Sequence, residues 1–247
     1  MYKSKAHFIS IVVPVFKKER IIVKHVKGLY RVLNKLRYRS EIITVIDGRI
    51  DRSEERLRKS AIPTVRVIAY KKNQGKAYAI RHGMYRARGD YVMFIDAGRE
   101  IDVSGISMLL EHMEWYKADI IVGSKRHPAS LIIYSWQRKL LSLGYYWFVR
   151  IFFGLNIRDT QAGIKIFRKA VLKKILPRLV EKKFAGDLEI LVAAQANGYK
   201  RIYEAPIKLD YRLGDITNAA TMLSIYHIFT DTLAIWYRNF ILKHYRA

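Results

Sequence analysis

Two apolar runs in this chain end on carboxylates. Ile-Ile-Thr-Val-Ile leads into Asp47-Gly48, and Tyr91-Val-Met-Phe-Ile leads into Asp96-Ala97-Gly98-Arg99-Glu100. An aspartate closing so apolar a strand is costly to bury unless a cation meets it. A divalent metal carrying a diphosphate fits that need, with Asp96 and Glu100 as hard oxygen ligands for Mg2+ or Mn2+. Asp102, nearby, reads more simply as a helix cap. Asp47 has two readings: a hydrogen-bond acceptor for a nucleobase or ribose, or a turn aspartate capping the next helix. Asn73-Gln-Gly75-Lys76 opens a helix after a third apolar run. Backbone N–H groups and an ammonium converge there, which suits an anion, although a solvated helix start has the same composition.

The elements that carry these residues alternate along the chain. Short β-branched runs at Phe8 to Val15, Glu41 to Ile46, Val65 to Tyr70, Tyr91 to Ile95 and Ile120 to Gly123 are separated by helical patterns at Arg20 to Leu36, Arg52 to Lys59, Gly75 to Ala87 and Ser104 to Tyr116. The strand runs are apolar throughout instead of alternating, as expected when helices cover both faces of a sheet. This predicts an α/β sandwich with a mainly parallel sheet, whose ligand crevice lies at the carboxyl ends of the strands. Further on, the pattern predicts a strand ending at Phe167, helices over Lys169 to Leu176 and Asp187 to Asn197, a strand pair near Arg201 to Tyr211, and a last helix.

With 247 residues, 51% of them hydrophobic, the chain is long enough for one substantial core and is not a disordered sequence. Lys and Arg number 46 against 21 Asp and Glu, a formal charge of +25 that calls for anionic partners. Cysteine is absent, which excludes disulfides, thiol catalysis and Cys-based zinc sites. Two segments mix aromatics with basic residues. The stretch 131–153 supplies Tyr134, Trp136, Tyr145, Tyr146 and Trp147 in one amphipathic helix. The last helix places Met222, Tyr226, Phe229, Leu233, Trp236 and Phe240 in a single stripe, suited to a membrane surface or equally to core packing or dimerisation. Asp231 and Arg238 interrupt it, so a spanning helix is disfavoured. We therefore expect a domain over 1–218 and an amphipathic helix over 219–247, peripheral on an anionic membrane. Nucleic acid is not the expected partner, because the aromatics sit in helical stripes and the carboxylates at strand ends.

Taken in order, Val12-Val-Pro14, Asp47-Gly48, Asn73-x-Gly75-Lys76, Phe94-Ile-Asp96-Ala97, Asp159-Thr-Gln-Ala-Gly163-Ile-Lys165, Phe184-Ala-Gly-Asp187-Leu-Glu189 and Tyr211-Arg212-x-Gly214 resemble the inverting family 2 glycosyltransferases of the GT-A nucleotide-sugar fold. More narrowly they are similar to the dolichol/polyprenol-phosphate mannose and glucose synthase branch, over roughly residues 8 to 213. The chain departs from that pattern at Ile46, where a second acidic residue is usual, at Gly98, where the Asp-x-Asp metal motif has its second carboxylate, and at Lys17-Lys18 before Glu19.

The resemblance implies transfer of a hexose, with mannose slightly preferred to glucose, from GDP-mannose or UDP-glucose to a polyprenyl or dolichyl phosphate at the cytoplasmic face of a membrane. It implies donor contacts at Pro14, Val15, Glu19, Asp47, Lys76, Asp96 and Ala97, and catalytic roles for Asp96, Asp187 and Arg212. Ser124, Arg126 and Arg138 fall where acceptor-phosphate contacts are expected, and Asp96 with Glu100 at the metal. A sugar acceptor would require a base, for which Asp187 is the candidate; a helix-start aspartate is its other reading, and a chain that binds without turnover is a further alternative.

Overall fold

A computed structural model describes residues 7–98, 102–130, 136–208 and 222–246, with side chains left out of the description at 136–141 and 222–226. Seven strands form one sheet in the order β3-β2-β1-β4-β6-β5-β7. They are β1 (Phe8–Val15), β2 (Arg39–Asp47), β3 (Val65–Tyr70), β4 (Tyr91–Ile95), β5 (Ile120–Ser124), β6 (Ile164–Arg168) and β7 (Ile202–Pro206). Only β6 runs against its neighbours, pairing antiparallel with β4 and β5, so the expected mainly parallel sheet is found.

Among the described residues eight α-helices cover it: α1 (Ile22–Leu33), α2 (Ser53–Lys59), α3 (Lys76–Met84), α4 (Ile106–Trp115), α5 (Trp136–Phe153), α6 (Lys169–Ile175), α7 (Gly186–Ala196) and α8 (Met222–Phe240). The continuous apolar runs have a direct cause. Ile9, Ile11, Val13 and Val15 of β1 point into a core with α1, α2 and α4, while Val12 points into a second core with α3, α5, α6, α7 and α8. Period-2 geometry thus fills both faces. Pro14 is tolerated because β1 pairs with β4 only from Ile9 to Val12, so its missing N–H falls beyond that ladder.

Helix ends are shorter than the apolar pattern predicts. Beyond Leu33 and Met84 the chain tightens into i to i+3 bonds, Leu36 N to Leu33 O and Ala87 N to Met84 O, which keep the hydrophobic spacing without a continued α-helix. The strand pair predicted near Arg201 to Tyr211 is described only as β7; 209–211 lie outside the described residues, as do 131–135 of the predicted long helix. Among the described residues no helix is long and apolar enough to cross a membrane.

The last helix differs from expectation in which face it buries. Thr232, Ile235 and Asn239 are its inward positions, with Ile235 fully enclosed. The predicted stripe sits to one side: Phe229, Trp236 and Phe240 meet Phe148, Phe152 and Phe153 of α5 at ring separations of 5.2, 6.4 and 6.3 Å. Leu233 stays exposed, and so do Tyr237 and Ile241 beside it.

Candidate active site

The carboxyl ends of β1, β2 and β4 and the first turns of α3 and α7 converge, as an open α/β sheet requires. At their centre Lys76, the first residue of α3, stands between two carboxylates. Its Nζ lies 3.0 Å from Asp187 Oδ2 and 3.0 Å from each oxygen of Asp96. Lys165, the second residue of β6, donates from the other side to Asp187 Oδ1 at 2.9 Å and to Ala162 O at 2.8 Å. The four side chains form one chain, Asp96–Lys76–Asp187–Lys165, with Phe94 beneath both ammonium groups at 5.8 and 5.0 Å.

Electrostatics follow from that order. Burial on its own would raise the Asp187 carboxyl, but Lys165 and Lys76 outweigh it and hold the group below its ordinary value. Burial likewise opposes the charge on Lys76, yet Asp187 and Asp96 overcome it and keep this lysine protonated well beyond its usual range. For Lys165 burial wins, and its pKa is lowered despite Asp187.

The loop before α3 departs from the sequence expectation of an open anion cradle. Asp47 fills it: its carboxylate accepts from Gln74 N at 2.7 Å, Gly75 N at 3.0 Å, Asn73 Nδ2 at 2.9 Å and Tyr70 Oη at 2.8 Å. Ala77 N and Tyr78 N donate to Lys182 O at 3.0 and 3.2 Å. Four amides are therefore spoken for, and the cation that α3 presents to an anion is the Lys76 ammonium. Gly75 has φ +103°, and a Cβ there would lie 2.3 Å from Lys182 O, so the closure needs glycine. Asp47 does not cap α2 either; Asp51 does, accepting from Ser53 N at 3.0 Å.

The remaining candidates are placed as follows. Val15 and Ala97 are buried in the core and Pro14 is half-buried. Glu19 is stitched to the start of α2, accepting from Arg52 N at 3.0 Å while its own N–H donates to Asp51. Ser124 is buried, its Oγ accepting from Arg126 N. Arg126 Nη1 donates to Ser142 O of α5 at 2.7 Å and to Arg158 O at 3.0 Å, so it ties the loop after β5 to α5 and to the segment before β6. Glu100, Arg212 and the side chain of Arg138 lie outside the described residues.

Two residues near the site were given no role there by the sequence. Lys165 had a readable signal, because a lysine inside Ile-Lys-Ile of a strand covered on both faces must meet an acid. Tyr145, taken as part of an interfacial helix, turns inward; its hydroxyl accepts from Gln161 Nε2 and pairs with Thr232 Oγ1, both at 3.3 Å. Nothing in the local pattern of α5 separates it from Tyr146.

A divalent metal can be tested against the residues present. Asp96 Oδ1 is buried and accepts no well-directed hydrogen bond, and the cation facing it is the Lys76 ammonium 3.0 Å away, so this oxygen has coordination to spare. Gly163 packs directly on this carboxylate; a Cβ there would fall 2.4 Å from Asp96 Oδ2. Asp96 fits a metal ligand on those grounds. No cluster of three His or acidic side chains occurs among the described residues.

The family model described as Glycosyl transferase family 2 matches residues 10–176, more than half of the chain. The chain belongs to glycosyl transferase family 2. Curated relatives of this family 2 chain include the dolichyl-phosphate beta-glucosyltransferases of Dictyostelium discoideum, 27% identical over 203 residues, and Saccharomyces cerevisiae, 29% identical over 208. Each match covers 76% of this chain and 62% of the relative. The human protein of the same name is 28% identical over 211 residues, covering 79% of this chain and 65% of that one. The chain thus spans somewhat under two thirds of the length of these relatives.

Solved structures similar in fold include glucosyl-3-phosphoglycerate synthase from Mycobacterium tuberculosis in complex with Mn2+, UDP and phosphoglyceric acid. Its TM-score is 0.69 at 15% identity, covering 93% of this chain and 78% of that one. Mannosyl-3-phosphoglycerate synthase from Rubrobacter xylanophilus gives 0.70 at 13% identity, covering 98% and 76%. Both share the GT-A-like sandwich with the family 2 chain.

Proposed function

We propose that this chain is an inverting glycosyltransferase that moves glucose from UDP-glucose to a polyprenyl or dolichyl phosphate. The observation that carries this reading is the state of Asp187. A sugar hydroxyl as acceptor would need a base, and Asp187 is the candidate. Both of its oxygens are engaged by ammonium groups, and its pKa is held down. Such a carboxylate takes up a proton poorly. A phosphate monoester is already an anion at neutral pH and attacks without one.

Glucose is preferred here to mannose because the similar curated proteins are named for it. The β linkage in those names is the outcome of one displacement with inversion on an α-linked donor. In that reaction Lys76 faces the departing diphosphate and neutralises charge as the bond breaks. Asp187 and Asp96 keep the Lys76 ammonium in place, and Lys165 keeps Asp187 in place. Asp47 supports the same end by closing the loop that leads into α3. When held by Asp96, with Glu100 proposed as a further ligand, Mg2+ or Mn2+ supplies additional positive charge for the leaving group. Arg126 and Arg138 are proposed for the acceptor phosphate, Arg212 for the donor side.

The reading includes a peripheral seat on the cytoplasmic face of a membrane, with 1–218 as the transferase domain and 219–247 as an amphipathic helix. Leu143, Trp147 and Ile151 form an exposed line on α5, and Phe229, Leu233 and Tyr237 another on α8. Apolar lines of this kind on a chain of charge +25 suit an anionic lipid surface.

The test is a donor panel of UDP-glucose, GDP-mannose and other nucleotide sugars with a short polyprenyl phosphate, reading lipid-linked hexose by mass spectrometry. UDP-glucose should give product, and Lys76→Gln should lower kcat by about 10²–10³-fold, the usual loss for one preorganised charge-stabilising group. Product with a sugar acceptor and none with the lipid phosphate would overturn the proposal.

A further inference from the structure

The segment after α8 folds back onto the domain and carries a buried phenol. Tyr245 is fully enclosed, and its hydroxyl donates to Glu189 Oε1 of α7 at 2.7 Å. Glu189, 1% exposed, also accepts from Val180 N and Glu181 N, both at 2.9 Å. From α8, Arg238 donates to the neighbouring carboxylate of Glu181. His244 joins the same stretch, its carbonyl accepting from Arg178 Nη1 at 3.1 Å. The loop between α6 and α7 is therefore fastened on one side by α8 and the segment that follows it.

On its other side the same loop closes the start of α3. Lys182 O accepts from Ala77 N and Tyr78 N. Gly186 packs so tightly on Ala77 that a Cβ there would lie 2.2 Å from the Ala77 Cβ. The residue next to Ala77 is Lys76, whose reach to Asp96 and Asp187 depends on where that first turn stands. A loop pinned at both faces transmits the position of one to the other, because close-packed contacts leave little slack.

We propose that Tyr245 and Arg238 are positioning residues for Lys76, acting through Glu189, Glu181 and the Lys182 carbonyl. The inference rests on Lys76 as the cation facing the leaving diphosphate, but the fastening can be tested without that reaction.

Tyr245→Phe keeps the ring volume and removes the hydroxyl. Hydrogen exchange should quicken by about tenfold, the scale of one lost hydrogen bond to a buried carboxylate, both in peptides covering 178–187 and in those covering 75–80. Strands β1 and β2 should be unchanged. Arg238→Gln should give the same pattern, and Tyr199→Phe, which removes a hydroxyl bonded to Ala170 O, should give none. In the transfer assay Tyr245→Phe should lower kcat and leave the polyprenyl-phosphate KM unaltered. Quickened exchange at 178–187 with 75–80 unmoved would overturn the proposal, as would a defect confined to the acceptor KM. Should Tyr245→Phe loosen the whole sheet, Arg238→Gln decides by the same two peptides. A wild-type chain without transfer activity would remove the functional reading, while the exchange result still decides the fastening.

Discussion

Lys165 Nζ donates to Asp187 Oδ1 at 2.9 Å, and the two side chains are 0% and 4% exposed. Burying two charges costs several kcal/mol each unless their remaining hydrogen-bonding positions are met. Each gains one further partner here: Ala162 O takes a second proton of Lys165, and Lys76 takes the second oxygen of Asp187. The pair fixes the rotamer of Asp187 and so sets one of the two carboxylates between which Lys76 stands.

Breaking that pair from one side should be severe. Lys165→Met leaves Asp187 buried with one cation instead of two and one oxygen unmet, and stability should fall by about 1–3 kcal/mol, the range for a buried polar group that loses a hydrogen-bonding partner. Urea unfolding measures it. A loss of about 0.5 kcal/mol, within the range of surface substitutions, would mean that Lys165 does not hold Asp187 in the folded protein.

Acid should undo the same contribution. The Asp187 carboxyl is held below its ordinary 3.8, burial opposing the shift and Lys165 and Lys76 outweighing it. The unfolded chain then binds the proton more readily than the folded one, so stability rises with pH across this range. The contribution is fully present above 3.8 and is lost as pH falls through the folded value. The stability gap between wild type and Asp187→Asn should therefore be wide at neutral pH and narrow at acid pH. A gap independent of pH would point to lost packing instead of lost charge.

Vesicle flotation tests the two exposed lines. Trp147 and Ile151 are 49% and 73% exposed on α5. Burying one such side chain contributes roughly 1.5–3 kcal/mol, so the double change Trp147→Ser, Ile151→Ser should reduce binding to anionic vesicles by at least tenfold. High salt should weaken binding of the wild type without abolishing it. Trp115, 73% exposed on α4 across the sheet, is the control, and Trp115→Ser should float as the wild type does. Equal loss from both faces would make the attachment a general matter of charge and apolar surface, with no oriented seat.

Much of the fold is legible in the amino-acid sequence because it rests on short-range periodicities. Uninterrupted runs such as Tyr91-Val-Met-Phe-Ile state that both faces of the sheet are covered, and the carboxylate at the end of that run states where a ligand crevice opens. The ordered motifs from Val12 to Gly163 identify the family before any coordinate is known, since each marks a turn or strand end that the fold requires. The sequence also places Lys165 in a strand with apolar neighbours, from which a buried acid partner follows.

What the tertiary structure alone decided is which groups meet. Lys76 and Asp187 are 111 residues apart, and Lys182 O reaches the amides of Ala77 and Tyr78 from another loop. No local pattern encodes that the anion cradle after β3 is filled by Asp47, or that Tyr145 turns inward. Nor does periodicity reveal that α8 buries Thr232, Ile235 and Asn239 and leaves much of its most apolar stripe half outside. Periodicity reports that a helix has a face; which face is buried depends on the volume and polarity that distant elements leave beside it, and those exist only once the chain has packed.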